Sequence, residues 1–221
     1  MIERAPLGIL GGTFDPVHIA HLRLAIEARE ALGLSAVRLI PAGAPPLRPP
    51  PHATAGQRHA MVECAIAAAA GFSIDTGELT ADSPSYTVAT LERLRVELGP
   101  DQPLVLLVGA DAFSRLEAWH RWRELFALAH IAVATRPGHP LKVGAGDTAL
   151  DQEMRARQGK PSDLGNAPAG RIVPFTITPL EISATAIRER LGRGADVSHL
   201  VPDRVLDYID LNQIYRKPYG H

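Results

Sequence analysis

The sequence predicts an α/β protein built on an open parallel sheet, doubly wound by helices on its two faces. Three observations carry that prediction. Short apolar runs end in glycine or proline, amphipathic helical stretches separate them, and the alternation continues into the last third of the chain. Parallel neighbours need a crossover connection, and the intervening helices supply it.

The first strand is expected at residues 7–10, cut by Gly11-Gly12. Ile19, Leu22 and Ile26 then recur at helical spacing, with Arg23, Glu27 and Glu30 spread over the other side, so residues 19–32 read as an amphipathic helix ending at Gly33. A strand at 37–40, ended by Pro41-Ala42-Gly43, completes a βαβ unit. A helix at 57–70, a strand at 72–75, a helix at 86–98 and the most apolar strand, 104–108, follow, and Gly109 breaks the last of these. Short helices at 112–116 and 122–128, strands at 131–135 and 172–177, and two final helices finish the pattern.

Two segments depart from it. Residues 41–54 hold Pro41, Pro45, Pro46, Pro49, Pro50 and Pro51, too many missing N–H groups for a helix or inner strand, and read as a semi-rigid surface loop. Residues 143–170 mix Gly, Ala and charge with weak helical character at 152–157, and read as an insertion. Residues 1–221 are thus expected to form one domain with a small helical part at about 182–215.

Composition narrows the function. With 46% hydrophobic and 21% charged residues the 221-residue chain has the make-up of a globular protein able to bury a sizeable core. Lys+Arg 23 against Asp+Glu 24 gives no global pull toward nucleic acid or an anionic membrane. Cys64 is the lone cysteine, which excludes an internal disulfide and a thiolate zinc cage and fits a reducing cytoplasm. Neither a secretory leader nor a run of about 18 apolar residues is present, so a cytoplasmic protein is expected.

In an open parallel sheet ligands bind beyond the carboxyl ends of the strands, so the residues after each strand carry the chemistry. After the first come Gly11, Gly12, Thr13, Phe14, Asp15, Pro16, Val17, His18, Ile19, Ala20 and His21. The glycines allow a tight turn and close backbone approach, and a helix start offers unpaired N–H groups and a positive dipole end suited to phosphate. His18 and His21, one turn apart, can donate to the same phosphate chain. The run is neither a Walker loop nor a Gly-x-Gly-x-x-Gly fingerprint. Near the far end, Ile182-Ser183-Ala184-Thr185-Ala186-Ile187-Arg188 opens another helix. Ser183 or Thr185 can cap it, and the Arg188 fork can reach a polyphosphate held at its start.

These two runs resemble the signature motifs of the nucleotidyltransferase superfamily with the His-x-Gly-His element. Ser85-Tyr86-Thr87, Gly109-Ala110-Asp111, Trp119 and Arg136-Pro137-Gly138 add order and spacing similar to its bacterial nicotinate-nucleotide adenylyltransferases, and the resemblance runs from Leu10 to about Tyr215. It implies a Rossmann-like nucleotidyltransferase fold and adenylyl transfer from ATP to nicotinate mononucleotide in NAD biosynthesis, with Mg²⁺ on the polyphosphate and no metal ligands from protein. ATP would meet Gly11, Gly12, Thr13, Phe14, His18, His21, Ile182, Ser183, Thr185 and Arg188, with His18, His21 and Arg188 catalytic. The mononucleotide would meet Asp15, Arg48, Ser85, Tyr86, Thr87, Gly109, Asp111, Trp119, His120 and Arg136, the Trp stacking on the pyridine ring and main chain near Trp119-His120 taking the carboxylate. The alternatives are another phosphate acceptor, nicotinamide mononucleotide or phosphopantetheine, and a non-catalytic nucleotide sensor. Two positions depart from the family pattern: Ala20 replaces the glycine between the histidines, and Leu47-Arg48 follows Pro45-Pro46 where an imidazole is usual.

Overall fold

The computed structural model describes residues 4–45, 49–81, 83–138, 141 and 146–216. In chain order they form β1 (Leu7–Gly12), α1 (Ile19–Leu32), β2 (Ala36–Pro41), α2 (Ala55–Ile66), β3 (Phe72–Ile74), α3 (Thr87–Leu98) and β4 (Leu104–Gly109). Then follow α4 (Ala110–Phe113), α5 (Leu125–Leu128), β5 (His130–Thr135), α6 (Ala149–Arg157), β6 (Ile172–Thr176), α7 (Ala184–Leu191) and α8 (Asp203–Leu211). The six strands make one parallel sheet in the order β3-β2-β1-β4-β5-β6. Leu7 pairs with Leu104, Val105 with His130 and Ile131 with Ile172. That order is the doubly wound, Rossmann-like arrangement expected, with the reversal of chain travel at β1 and β4.

The differences from the sequence reading lie at element ends. Gly11 and Gly12 continue β1 as extended chain, and Gly109 closes β4 instead of breaking it. Helix α2 starts two residues early because Thr54 caps it: Thr54 Oγ1 accepts from Gln57 N–H at 3.2 Å while Gln57 Oε1 accepts from Thr54 N–H at 2.9 Å. The helix expected at 112–116 is α4 followed by a 3₁₀ turn, Leu116–Ala118, and that at 122–128 is a 3₁₀ turn, Trp122–Glu124, running into α5. In the insertion, α6 starts three residues earlier than its apolar pattern suggested, again through a reciprocal cap, here Thr148 with Asp151. Residues 143–145 lie outside the described part.

The chain divides into two compact units. One comprises Met1–Leu10, Leu24–Arg38 and Tyr86–Pro179, the other Gly11–Arg23, Leu39–Ser85 and Leu180–His221, which includes the helical part expected at 182–215. In the first unit Leu104–Val108 of β4 and all of β5 are buried, as strands covered on both faces must be. Leu91, Leu94, Phe113, Leu116, Leu125 and Phe126 pack around them. His130, fully buried, accepts Arg171 N–H on Nδ1 at 3.0 Å and donates from Nε2 to Ala167 O at 2.8 Å, and burial keeps it neutral by lowering its pKa. In the second unit Met61 and Val62 of α2 and Val205 and Ile209 of α8 lie in the core, and the two helices pack together. No helix among the described residues is long and apolar enough to cross a membrane.

Arg95 ties together the segments that lead into β4, β5 and β6. Its guanidinium donates to Leu128 O at 2.6 Å, Pro168 O at 2.7 Å and Gln102 O at 2.5 Å, with longer bonds to Pro100 O and Gly99 O. Arg95→Met keeps the stem and removes every donor, and the stranded carbonyls should lower unfolding stability by about 2 kcal/mol. Urea unfolding of the two proteins checks this, and an unchanged midpoint would show that water replaces the guanidinium at no cost.

Candidate active site

The site is built on the turn that follows β1. Gly12, N-terminal to that turn, has a steric reason: a Cβ there would lie 2.8 Å from the Phe14 ring. Gly11 has none, since a Cβ there would meet no atom within 4 Å, and the residue is exposed. Phe14 adopts φ 49°, a left-handed conformation costly for a side-chain-bearing residue, and its 1% exposed ring sits edge-on to His21 at 5.0 Å. Asp15-Pro16 is cis.

His18 and His21 meet as the spacing suggested, but as a stack, their ring centroids 3.6 Å apart and 23° from parallel. His18 precedes α1 and its N–H donates to His21 Nδ1 at 3.2 Å. In the neutral His21 ring that bond places the proton on Nε2, which is therefore the donor nitrogen. His18 is 5% exposed, and burial lowers its pKa to about 4, so at neutral pH it is an uncharged imidazole. Its Nδ1 is buried with no partner among the described residues. Ile19 N–H is taken by Leu200 O at 3.0 Å, whereas Ala20 N–H has no acceptor among them.

The second motif lands on the same turn. Arg188 donates from Nη1 to Asp15 O at 2.7 Å across 173 residues of chain, and from Nη2 to Thr185 Oγ1 at 3.3 Å. Of the two possible caps Ser183 is the one used, its hydroxyl accepting Ala186 N–H at 3.2 Å. Ala184 and Thr185 N–H, at the start of α7, have no acceptor among the described residues. Ile182 stands half-buried just before the cap, and Thr13 contributes its carbonyl to the framework below.

Two of the residues expected to touch the mononucleotide make hydrogen bonds within the framework. The Asp15 carboxylate, 3% exposed, accepts His52 N–H at 2.8 Å, Ala53 N–H at 3.0 Å and Tyr215 O–H at 2.7 Å. Ser85 Oγ accepts Gly43 N–H at 2.9 Å and Ala44 N–H at 3.1 Å and so fastens the loop after β2. Arg48 and Leu47 lie outside the described residues. Sequence reasoning missed Arg58, Tyr215 and His52. Arg58, 1% exposed, donates to Thr13 O at 2.9 Å and Ala42 O at 2.6 Å. Its signal was present: it shares a helical stripe with Met61 and Val62, an apolar face where a charge needs a reason. For Tyr215 and His52 no local signal exists.

The remaining candidates belong to the other unit. Tyr86 precedes α3 and its ring lies 4.4 Å from that of His120, which brings Tyr86-Thr87 together with Trp119-His120. Trp119 is half-buried. Its N–H closes the 3₁₀ turn on Leu116 O at 2.9 Å, so of the two main-chain donors expected to take a carboxylate it is His120 N–H that has no acceptor among the described residues. Gly109 precedes α4, and Asp111 and Arg136 are exposed just after β4 and β5. No cluster of three or more His, Cys, Asp or Glu placed to hold a metal ion occurs among the described residues.

Helix starts with N–H groups that have no acceptor among the described residues, an arginine fork and the His18–His21 stack are donors of the kind that suit an anion such as polyphosphate. The cytidylyltransferase-like family matches residues 9–190, and the chain belongs to it. Within that class it is 55% identical to the "probable nicotinate-nucleotide adenylyltransferase" of Dechloromonas aromatica (strain RCB) over 96% of this chain and 98% of that one. It is 48% identical to the protein of the same description from Laribacter hongkongensis (strain HLHK9), over 98% and 97%. Its fold matches that of the Plasmodium falciparum nicotinic acid mononucleotide adenylyltransferase complexed with NaAD, with a TM-score of 0.70, 16% identity and coverage of 96% and 98%.

The buried His18 makes stability pH-dependent. Its pKa falls from an ordinary 6.5 to about 4 on folding, so between those values the unfolded chain binds a proton that the folded chain does not. The contribution is complete above pH 6.5 and is lost as pH falls toward 4, to a total of about 3 kcal/mol. Urea midpoints measured from pH 7 to 4 should fall more steeply for the wild type than for His18→Asn; parallel curves would refute the assignment.

Proposed function

We propose that this protein transfers the adenylyl group of ATP to nicotinate mononucleotide, releasing pyrophosphate and forming nicotinate adenine dinucleotide. The observation that carries this reading is the Arg188 to Asp15 bond, which gathers a polyphosphate-suited arginine and two histidines at one turn. Relatives at 55% and 48% identity that bear that description support it.

The chemistry asks little covalent help from the protein. A phosphate oxygen of the mononucleotide attacks the α-phosphorus of ATP, and the bond from that phosphorus to the oxygen bridging to the β-phosphorus breaks as pyrophosphate leaves with the electron pair. The nucleophile is already anionic at neutral pH, so a general base is unnecessary and alignment with charge stabilisation suffices. His21, through Nε2–H, and the α1 start hold the phosphates near the reacting centre; Arg188 and the α7 start hold the β and γ groups. His18, uncharged and stacked under His21, keeps that ring in place and adds a neutral donor. Mg²⁺ is proposed to arrive on the triphosphate, since the donors here fit phosphate oxygens; when bound it neutralises charge on those oxygens. Tyr86, Thr87, Trp119, His120 N–H, Asp111 and Arg136 are assigned to the nicotinate mononucleotide, and the cytoplasm is the proposed compartment.

Pyrophosphate release with ATP and Mg²⁺ should be fastest with nicotinate mononucleotide, slower with nicotinamide mononucleotide and absent with phosphopantetheine. ATP binding without release from any acceptor would overturn the reading. Gly11→Ala separates ligand from fold: with open space at its Cβ the variant should keep the wild-type unfolding midpoint while KM for ATP rises about ten-fold. A normal KM for ATP would place the nucleotide away from this turn.

A further inference from the structure

Tyr215 follows α8 and has no part in either motif, yet its hydroxyl donates to Asp15 Oδ1 at 2.7 Å across 200 residues of chain. It sits at φ 63°, a left-handed conformation that a tyrosine adopts only where surrounding contacts hold it there. Its hydroxyl also lies 3.9 Å from Met61 Sδ of α2. Burial first, and the bond to Asp15 second, raise the phenol pKa well above its ordinary value, so the group is a donor at any working pH.

The bond matters because of what the same aspartate does with its main chain. Asp15 Oδ2 accepts His52 N–H, Oδ1 accepts Ala53 N–H and the Tyr215 hydroxyl, and the Asp15 carbonyl receives Arg188 Nη1 at 2.7 Å. A residue held by its side chain from three directions has little freedom at its peptide plane, and the arginine resting on that plane inherits its position. Arg188 is also held by Thr185 Oγ1 at 3.3 Å, but that group rides on the same helix, and the side chain is 20% exposed. Arg188 Nη1 also lies 3.7 Å from Asp15 Oδ2, so the carbonyl and the carboxylate that hold the fork from outside α7 both belong to Asp15.

We propose that Tyr215 is a positioning residue for Arg188, acting through Asp15 to set the guanidinium at the phosphate site. The proposal rests on the reading of Arg188 as a phosphate-binding residue. A displacement of about 1 Å in such a group is enough to weaken phosphate binding and alignment by one to two orders of magnitude.

Tyr215→Phe in the full chain removes the hydroxyl and keeps the ring. Asp15 retains the His52 and Ala53 N–H donors, so the fold should survive, which near-UV circular dichroism and a urea midpoint verify. Calorimetric titration with a non-hydrolysable ATP analogue should show affinity about ten-fold weaker, and KM for ATP should rise in step while KM for nicotinate mononucleotide stays within about two-fold. Arg188→Lys should cost less in the Tyr215→Phe background than in the wild type, and 3-fluorotyrosine at 215, which keeps the hydroxyl, should restore ATP affinity. Unchanged analogue affinity, a parallel rise in the two KM values, or full additivity with Arg188→Lys would each overturn the proposal. The calorimetric arm needs no acceptor. A wild type that binds the analogue yet releases no pyrophosphate would defeat the functional reading alone, and the Tyr215→Phe titration would still decide the positioning role.

Discussion

A carboxylate removed from water must find donors, and in this protein the Asp15 carboxylate is the group on which the two sequence motifs converge. At 3% exposure it would cost several kcal/mol if left unpaired. Burial alone pushes its pKa up, but bonds from His52 N–H, the Tyr215 hydroxyl and Ala53 N–H, with the Arg188 charge nearby, outweigh that and hold it below the ordinary carboxylate value. Those donors come from the loop before α2, from the segment after α8 and from α7. Each of these segments supplies the buried aspartate with a partner, so segments far apart in sequence meet at one residue.

Arg58 applies the same constraint with the opposite charge. Buried on α2, it spends its guanidinium on the carbonyls of Thr13 and Ala42, one on the turn after β1 and one on the loop after β2. That second loop is further fixed at Gly43, where a Cβ would lie 2.0 Å from Glu78 O, so glycine is what lets the chains approach this closely. Ser85 completes the fastening. Asp15 and Ser85, which motif resemblance assigns to ligand, thus also bind the protein's own backbone, at the loop before α2 and at the loop after β2.

The electrostatics of the site follow from that economy. Positive potential comes from helix starts and one partly exposed arginine, while the paired histidines contribute hydrogen-bond direction, with His18 kept neutral by burial. A phosphate acceptor that already carries its negative charge needs donors and alignment more than it needs a base, which is the role proposed for the groups gathered around Asp15.

Much of this was legible in the sequence. The alternation of apolar runs and helical stripes yields every strand and the parallel sheet, because period and punctuation are properties of neighbouring residues; α1 is read to its ends. The Thr54 and Thr148 caps are equally local, and they set the starts of α2 and α6 ahead of the apolar pattern. The two motifs mark the proposed polyphosphate site by residue type, and Trp119 and Thr87 mark a second group. Tertiary structure alone decided that Asp15 and Ser85 bind the framework, that His18 and His21 stack, that Ser183 is the cap in use, and that Tyr215 and Arg188 converge on one residue. The reason is physical. A residue's conformational preference is written in its neighbours, whereas the partner of a buried charge is whichever distant donor the packed chain brings within about 3 Å of it.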